Sequence, residues 1–478
     1  MTNGCGSNKY QEKPLSPDLL VIGAGSAGFS ASIVAAEKNF DVVLVGDGII
    51  GGTCVNVGCI PSKVMTRATE TLYQAYNASR FSGIEASAEI TNWKALIKQK
   101  QLLIEELRQI KYINILPNYK NISYIKGKAK FVNEGVTVNG ILYTPKKTII
   151  TTGSSPLIPT IKGIENIPYL TSTTALELDK LPKSLIIIGG GVIGVELAQI
   201  FARAGTKVTI CCRNRLIPMN EPELSTALKK CFQEEEISVC EGINYQKVEK
   251  INNIIRFTYH ANNETQIIET EHLLLATGRI PNTSDMGLKK AGIDLIENGG
   301  ICVNEYMQTT REDVYAAGDV IGKDMFVYMA AYGAKLAALN IINGNKNQYN
   351  NNIMPRVVFT DPQVADVGLT EAQAQEKGYS TKVSTLSLGH VPRFIVARNT
   401  KGIIKLVADK QTDKLLGAHI LAPEAGDIIQ TMTLALKGNF TTTELADTIF
   451  PYLTGVEGLK LAAQMFNKDV SKLSCCAG

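Results

Sequence analysis

Two glycine-rich segments, some 166 residues apart, constrain the fold of this chain more than any other feature of its sequence. Each follows a short apolar run and precedes a stretch with helical character. A strand before such glycines and a helix after them bind a dinucleotide, because glycine lets the backbone approach the pyrophosphate at the helix N-terminus. The first set is Gly23, Gly25 and Gly28, and the second set is Gly189, Gly191 and Gly194. The sequence therefore predicts an α/β fold with two Rossmann-like dinucleotide-binding domains.

The C-terminal quarter of the chain has a different character and no third glycine motif of this kind. From about Pro355, strand-like segments at 356–359, 403–407 and 415–420 alternate with helical ones. This pattern predicts a separate α+β domain.

Composition limits the class of protein. Apolar residues make up 45% of the 478 residues and charged residues 20%, as in ordinary globular proteins. The net charge of +4 comes without a long run of Lys and Arg, so nothing favours nucleic-acid or membrane-surface binding. Residues 1–17 are polar and predict a disordered leader, not a signal peptide. No apolar stretch reaches the ~18 residues of a membrane span, and we expect a cytoplasmic protein.

Two cysteine pairs carry most of the chemical information in the sequence. Cys54 and Cys59 have Cys-x4-Cys spacing, which can close as a disulfide because one helical turn plus a residue brings the pair together. Cys475 and Cys476 are adjacent, and α-carbons about 3.8 Å apart lie below the ~4.4–6.8 Å of ordinary disulfides. Two neighbouring thiolates can instead share one soft metal ion. The redox pair Cys54 and Cys59, together with the adjacent thiols Cys475 and Cys476, predicts a reductase whose substrate is held by sulfur. All four cysteines are then candidate metal ligands.

Charged residues near the two glycine motifs bear on nucleotide choice. Asp47 follows the second strand of the first motif and is the candidate for holding ribose hydroxyls, one position displaced from the usual site. In the second motif the corresponding strand ends before Arg213 and Arg215. Two arginines there suit a 2′-phosphate and favour NADPH over NADH; the alternative is that one or both are simply solvated.

The chain resembles the pyridine nucleotide–disulfide oxidoreductases, a family of flavoproteins, over nearly its whole length. The resemblance rests on 51–63, 152–153, 276–282 and 316–319. It implies that FAD fills the first dinucleotide site and NADPH the second, and that the last domain makes a homodimer. The residues implied to contact the cofactors are Gly23, Gly25, Gly28, Asp47, Gly52, Thr53, Lys63, Gly153, Gly189, Gly191, Gly194, Arg213, Arg215, Gly278 and Asp319, the last on the ribityl chain. The implied domains are a leader at 1–17, an FAD-binding domain at 18–155, an NADPH-binding domain at 156–279, a second part of the FAD-binding domain at 280–350, and a dimerisation domain with a thiol-bearing tail at 351–478.

Within the family, the chain resembles the branch that reduces mercury(II). The ending Cys475–Gly478 and the run Phe450–Lys460 carry this resemblance. It implies that the tail thiols reach the active site of the other subunit. Two features depart from the branch: many members begin with a metal-capturing domain that has its own Cys-x-x-Cys, whereas this chain has only an isolated Cys5, and the acid Asp47 is displaced.

The resemblance also implies roles for the catalytic residues. Cys59 lies nearest the flavin as the charge-transfer thiolate, Cys54 is the outward exchanging thiol, and Lys63 sits near the flavin paired with Glu196. Tyr452 stands where the disulfide reductases of the family have a proton-donating His, and Glu457 is kept. A phenol with a pKa near ~10 is a poor proton donor to a thiol. Tyr452 therefore favours a metal substrate, unless it is only a core aromatic residue.

These residues predict NADPH-dependent reduction of Hg(II) to Hg(0), with the metal arriving on small thiols. Three alternatives remain: a reductase of a small-molecule disulfide, an NAD-using component of a larger assembly like dihydrolipoamide dehydrogenase, and a non-catalytic metal buffer. The other cysteines are expected to be packing or structural residues without assigned chemistry: Cys211, Cys212, Cys231, Cys240 and Cys302.

Overall fold

The computed structural model describes residues 15–469. Over that range the chain forms two compact units, each assembled from three separated stretches. The first unit contains 15–60, Leu102–Ser155 and Arg279–Asn350. The second contains Pro61–Gln101, Pro156–Gly278 and 351–469. The domain boundaries drawn from the sequence stay a prediction.

The described residues form 22 strands and 13 α-helices. The strands are β1 Leu19–Ile22, β2 Val42–Gly46, β3 Ile122–Lys126, β4 Ala129–Val132, β5 Gly135–Val138, β6 Ile141–Tyr143, β7 Lys147–Ile150, β8 Ser154–Pro156, β9 Ser184–Ile188, β10 Lys207–Cys211, β11 Ser238–Cys240, β12 Asn244–Ile251, β13 Ile254–Ala261, β14 Glu264–Thr270, β15 His272–Leu275, β16 Arg279–Pro281, β17 Val314–Ala316, β18 Arg356–Val358, β19 Gln363–Gly368, β20 Thr381–Ser387, β21 Ile403–Asp409 and β22 Leu415–Ala422. The helices are α1 Ser26–Ala36, α2 Gly52–Val57, α3 Cys59–Tyr76, α4 Trp93–Lys111, α5 Ser172–Ala175, α6 Val192–Arg203, α7 Pro222–Glu234, α8 Val327–Asn343, α9 Glu371–Glu376, α10 Pro392–Val396, α11 Ala425–Lys437, α12 Thr442–Asp447 and α13 Glu457–Gln464.

The first unit is built on a parallel sheet of order β3-β2-β1-β7-β17. All four residues of β1 are buried, and α1 and α8 pack on the sheet and on each other. Strands of a parallel sheet are apolar throughout because helices cover them. The order of strands reverses between β1 and β7, and ligands bind such sheets in the crevice at the carboxyl ends of the strands. The first glycine motif begins at that point, directly after β1.

The second unit contains a similar parallel sheet, of order β11-β10-β9-β15, with α6 packed on β10. Strand β9 is apolar and mostly buried, and the second glycine motif follows it directly. An antiparallel ribbon, β12-β13-β14, belongs to the same unit. The two parallel sheets thus have matching positions for their glycine motifs.

The C-terminal part of the second unit is an antiparallel sheet of order β18-β19-β22-β21-β20. Helix α11 packs on β19 and β22, and α13 packs on β20 and β21. Leu406, Ile420 and Met432 are fully buried in the core between sheet and helices. The predicted fold class, two Rossmann-like domains with an α+β domain, is confirmed.

Over residues 15–469, every helix is too short or too polar to span a lipid bilayer.

Candidate active site

The first glycine motif shapes the N-terminus of α1 into a site for an anion. Gly25 precedes α1 without a side-chain cap, which leaves amide groups of the first turn for a ligand. A Cβ on Gly28 would overlap the carbonyl oxygen of Gly23, and a Cβ on Gly52, where φ is +68°, would lie 2.7 Å from the Cα of Gly25. Only glycine allows these backbone segments to approach so closely. The close packing and the uncapped helix fit the pyrophosphate of FAD.

Asp47 lies immediately after β2, at the carboxyl edge of the same sheet, and is exposed. This position borders the crevice that the first glycine motif forms. Its contact with a ribose stays a prediction.

The Cys-x4-Cys pair is divided between two helices. Cys54 lies in α2 and Cys59 begins α3, and both side chains are half-buried. Gly58 separates the helices with φ −121° and ψ −106°, and a Cβ there would lie 3.0 Å from the carbonyl oxygen of Thr53. The expectation of one continuous helical turn between the cysteines is therefore wrong, because the backbone breaks at Gly58. The redox role of the pair stays a prediction.

Tyr112 is a site residue that the sequence analysis missed. Its Oη lies 3.1 Å from Ser26 Oγ, and its ring contacts Phe29 edge to face at 5.0 Å. Burial raises the pKa of Tyr112, the hydrogen bond to Ser26 lowers it, and negative charge on Cys54 and Cys59 raises it. The ring lies against Gly51, where a Cβ would be 3.1 Å from it. No motif or spacing marks this tyrosine, because only the fold brings it to the glycine motif.

A second missed group links Asp319 to the cysteine pair. Arg279 Nε donates to Ser154 Oγ at 2.7 Å, and Ser154 Oγ donates to Asp319 Oδ2 at 2.6 Å. Burial lowers the pKa of Arg279, while attraction to Asp319 and Cys59 acts in the opposite direction. The guanidinium therefore lies where it can favour a thiolate at Cys59. In the sequence, Arg279 lies within the segment 276–282 that carries the family resemblance, which gives it no role of its own.

The second glycine motif repeats the arrangement of the first. Gly191 precedes α6 without a side-chain cap, and a Cβ on it would meet no atom within 4 Å. A Cβ on Gly194 would instead overlap the carbonyl oxygen of Gly189. The open space at Gly191 leaves the backbone accessible to a pyrophosphate, so these residues fit a nicotinamide dinucleotide.

The two arginines expected at the nucleotide end differ in their surroundings. Arg213 is exposed, with its guanidinium 5.1 Å from the centre of the Tyr245 ring. Arg215 donates to the carbonyl oxygen of Asn220, and its Nε is buried without a hydrogen-bond partner among the described residues. Arg213 is therefore better placed than Arg215 to meet a 2′-phosphate.

Lys63 and Glu196 form an ion pair in the second unit, with Nζ 2.8 Å from Oε2. Glu196 Oε1 accepts a hydrogen bond of 2.9 Å from the Phe359 amide, and Lys63 Nζ lies 4.5 Å from the centre of the Phe359 ring. The Glu196 side chain is 5% exposed and that of Lys63 31%. The carboxylate thus fixes the lysine while leaving it reachable by a ligand.

Tyr452 lies on an exposed loop before α13. It is 49% exposed, so it is not a core aromatic residue of the chain described. The buried Glu457 accepts a hydrogen bond of 3.2 Å from the amide of Leu453, whose φ is +60°. Glu457 therefore shapes the backbone next to the phenol. Cys5, Cys475 and Cys476 lie outside the described residues.

Comparison with known proteins agrees with this geometry. Residues 17–336 match the family described as pyridine nucleotide-disulphide oxidoreductase, and residues 354–463 match the dimerisation domain of that family. The chain belongs to the pyridine nucleotide–disulphide oxidoreductases.

Curated relatives define the branch more narrowly. The mercuric reductase of Bacillus cereus is 46% identical over 96% of this chain and 73% of its own length. That of Lysinibacillus sphaericus is also 46% identical, over 96% and 84%. That of Streptomyces lividans is 43% identical, over 96% and 98%. The chain is thus placed among the mercuric reductases.

A solved structure with the same fold is the HOCl-induced flavoprotein disulfide reductase RclA of Escherichia coli. It has a TM-score of 0.82 and 28% identity, with 94% of this chain and 99% of that chain covered. A Cu(II) complex of the same protein has the same TM-score and 27% identity.

Proposed function

We propose that this protein reduces mercury(II) to elemental mercury with electrons from NADPH, through bound FAD and the Cys54–Cys59 pair. The observation that carries the proposal is Tyr452, an exposed phenol on a loop held by Glu457. The family resemblance implies that it replaces the imidazole that donates a proton in the disulfide reductases. Reduction of a metal ion to its element requires no proton for a leaving thiol. The 40–46% identity to mercuric reductases supports the same substrate.

The glycine motifs are proposed to hold the two cofactors. The uncapped N-termini of α1 and α6 would bind the pyrophosphates, and Asp319 would bind the ribityl chain of FAD. Bound FAD supplies two-electron transfer between the nicotinamide and the cysteine sulfurs. The exposed Arg213 favours NADPH as the donor of electrons.

The cysteine pair is proposed to bind the metal by exchange of thiolates. Cys475 and Cys476 of the partner subunit would take Hg(II) from two small thiols and pass it to Cys54 and then to Cys59. Each transfer replaces one Hg–S bond with another, so the metal stays on sulfur throughout. The positive charge of Arg279 near Cys59 would keep that sulfur as a thiolate. The dimerisation domain supports a homodimer, and we propose that each active site is shared between its two subunits.

The remaining site residues would position and protect this chemistry. Glu196 forms an ion pair with Lys63. We propose that this lysine would supply a positive charge to the flavin, as the family resemblance implies. Tyr452 would donate a hydrogen bond to a thiolate or to the metal complex without giving up its proton, because phenols are weak acids. We place the reaction in the cytoplasm, where thiols are kept reduced.

The second candidate function is reduction of a small-molecule disulfide, which the likeness to the disulfide reductase RclA supports. The two functions separate in one assay of NADPH oxidation by the purified flavoprotein. Hg(II) in excess small thiol is compared with oxidised glutathione and with lipoamide. Mercury-dependent oxidation with little turnover of either disulfide is the expected result. Turnover of a disulfide but not of mercury would overturn the proposal.

A further inference from the structure

Two cysteines outside the proposed active site lie opposite each other in the nucleotide-binding sheet of the second unit. Strands β10 and β11 are parallel, and their register pairs Cys211 with Cys240. Residues paired in this way project from the same face, and neighbouring strands lie about 4.7–4.9 Å apart. Two thiols at this separation can share a single bridging atom.

The surroundings of the two thiols differ in a way that orders their reactivity. Cys211 is fully buried, whereas Cys240 is partly exposed. Cys240 Sγ lies 3.6 Å from Tyr259 Oη. The hydrogen bond from the Cys211 thiol lowers the pKa of Cys240 to about 6 and raises that of Cys211. Cys240 is thus the accessible nucleophile of the pair, with Cys211 directly behind it.

The neighbouring Cys212 does not share this arrangement. Successive residues of a strand alternate between faces, and Cys212 lies in a different apolar cluster from Cys211. Its Sγ donates to the carbonyl oxygen of Asn214 at 2.9 Å. The amide of Cys212 donates to the carbonyl oxygen of Cys240 at 2.9 Å, but its side chain packs in the other cluster. Cys212 therefore serves as an internal control for the thiol of Cys211.

We propose that Cys211 and Cys240 form a second thiol site that binds one mercury(II) ion as a bis-thiolate. The metal arrives with two small thiols bound. Cys240 displaces the first and Cys211 the second, so two Hg–S bonds form as two break. The proton of the Cys211 thiol leaves with one displaced small thiol, the other small thiolate takes a proton from water, and no electrons are transferred.

The donor set favours a soft ion that needs only two ligands. Within residues 15–469, His, Cys, Asp and Glu side chains form no group of three able to hold a metal. Zinc, which takes four ligands in structural sites, has too few donors here. Thiolates select soft metals, and mercury(II) is satisfied by two of them. The proposed occupant follows from this chemistry and from the substrate proposed above.

This site is distinct from the catalytic pair. Cys54 and Cys59 belong to the first unit, whereas Cys211 and Cys240 belong to the second. The new site lies at the carboxyl ends of β10 and β11, where Tyr245 Oη donates to the carbonyl oxygen of Cys211 at 3.2 Å.

The test is metal binding by the reduced, full-length holoenzyme without NADPH, so no mercury is reduced. The protein is mixed with Hg(II) in excess glutathione and desalted, and the retained mercury per chain is measured. Cys211→Ser and Cys240→Ser should each retain one ion fewer than the unmodified protein. Cys212→Ser and Cys302→Ser should match the unmodified protein. Flavin content and thermal unfolding establish that each variant is folded.

Peptide mapping of the unmodified protein provides a measurement that needs no variant. Cleavage after basic residues and glutamate, including Glu236, separates Cys240 from Cys231. A mercury ion should join the peptide of Cys240 to the peptide that contains Cys211 and Cys212. Equal metal content in all four variants, or no joined pair that includes Cys240, would overturn the proposal. Because no turnover is measured, this result is independent of the proposed function.

Discussion

Lys63 and Glu196 lie 133 positions apart in sequence and form an ion pair with Nζ 2.8 Å from Oε2. The other carboxylate oxygen accepts a hydrogen bond from the Phe359 amide, so Glu196 ties α3, α6 and the start of the C-terminal sheet together within the second unit. The pair is thus both a structural tie and a means of holding one positive charge in place.

Glu196→Gln tests this double role. The amide keeps an acceptor for Phe359 but loses the charge that attracts Lys63, so we expect a loss of about 1–2 kcal/mol in the free energy of unfolding. Flavin reduction by NADPH should also slow. Thermal unfolding and stopped-flow absorbance measure the two effects. Glu376→Gln, at an exposed position, should change neither. An unchanged flavin-reduction rate in E196Q would remove the pair from the catalytic site.

Cys54→Ala should reduce mercury-dependent NADPH oxidation to background, because the exchanging thiolate is lost. Reduction of the flavin by NADPH should persist, since it does not pass through this sulfur. Cys302→Ala, which removes a half-buried cysteine elsewhere in the first unit, should keep full activity. Mercury reduction retained in C54A would show that the redox assignment is wrong.

Tyr452→Phe should slow mercury reduction by about tenfold, the effect of one hydrogen bond to a charged group. Flavin reduction and thermal stability should stay the same, because the side chain is 49% exposed. Tyr379→Phe is the matched control at 42% exposure. A rate for Y452F equal to that of the unmodified protein would leave the phenol without a catalytic role.

Replacing Cys475 and Cys476 together by alanine should lower kcat/KM for thiol-complexed mercury much more than the rate of flavin reduction. The tail thiols act before the metal reaches the catalytic pair, whereas flavin reduction does not involve them. Stopped-flow and steady-state assays compare the two rates on one preparation. Equal losses in both would indicate that the tail is structural.

We expect the buried His419 to make the protein less stable at acid pH. It is fully buried, Nε2 donates to the Leu369 carbonyl oxygen at 3.0 Å, and burial holds its pKa below the usual value of about 6.5. The unfolded chain therefore binds a proton that the folded chain does not. The stability that depends on neutral His419 is fully present above pH ~6.5. It is lost as the pH falls through that value toward the pKa of the folded state.

Charged groups around His419 alter how much stability is lost at acid pH, but the burial of His419 remains the cause of the loss. Burial raises the pKa of Asp366, which opposes the loss contributed by His419 as the pH falls. Other charged groups in this cluster are Glu221, Arg356 and Lys405. Unfolding midpoints of the unmodified protein and of His419→Gln should be compared from pH 7.5 to 5.5, roughly one unit either side of the usual pKa. Parallel curves would show that His419 contributes nothing to the acid sensitivity.

Features that lie within a few consecutive residues were predictable from the sequence. Each glycine motif can be recognised from six consecutive residues. The turn, the uncapped helix start and the close backbone approach that it produces are all local geometry. The two Rossmann-like sheets, the α+β domain and the family followed from such motifs and are confirmed. The break at Gly58 was not foreseen, since spacing alone does not distinguish one helix from two.

Contacts between distant segments were decided by the tertiary structure. Tyr112, just after α4, reaches Ser26 at the first glycine motif. Ser154 joins Arg279 to Asp319 although more than a hundred positions separate it from each of them. Cys211 and Cys240 became a pair only through the register of two parallel strands. Such contacts depend on how strands align and on which face each side chain takes. A shift of one residue would turn the side chains of a strand to the other face, and no local pattern in the chain records that choice.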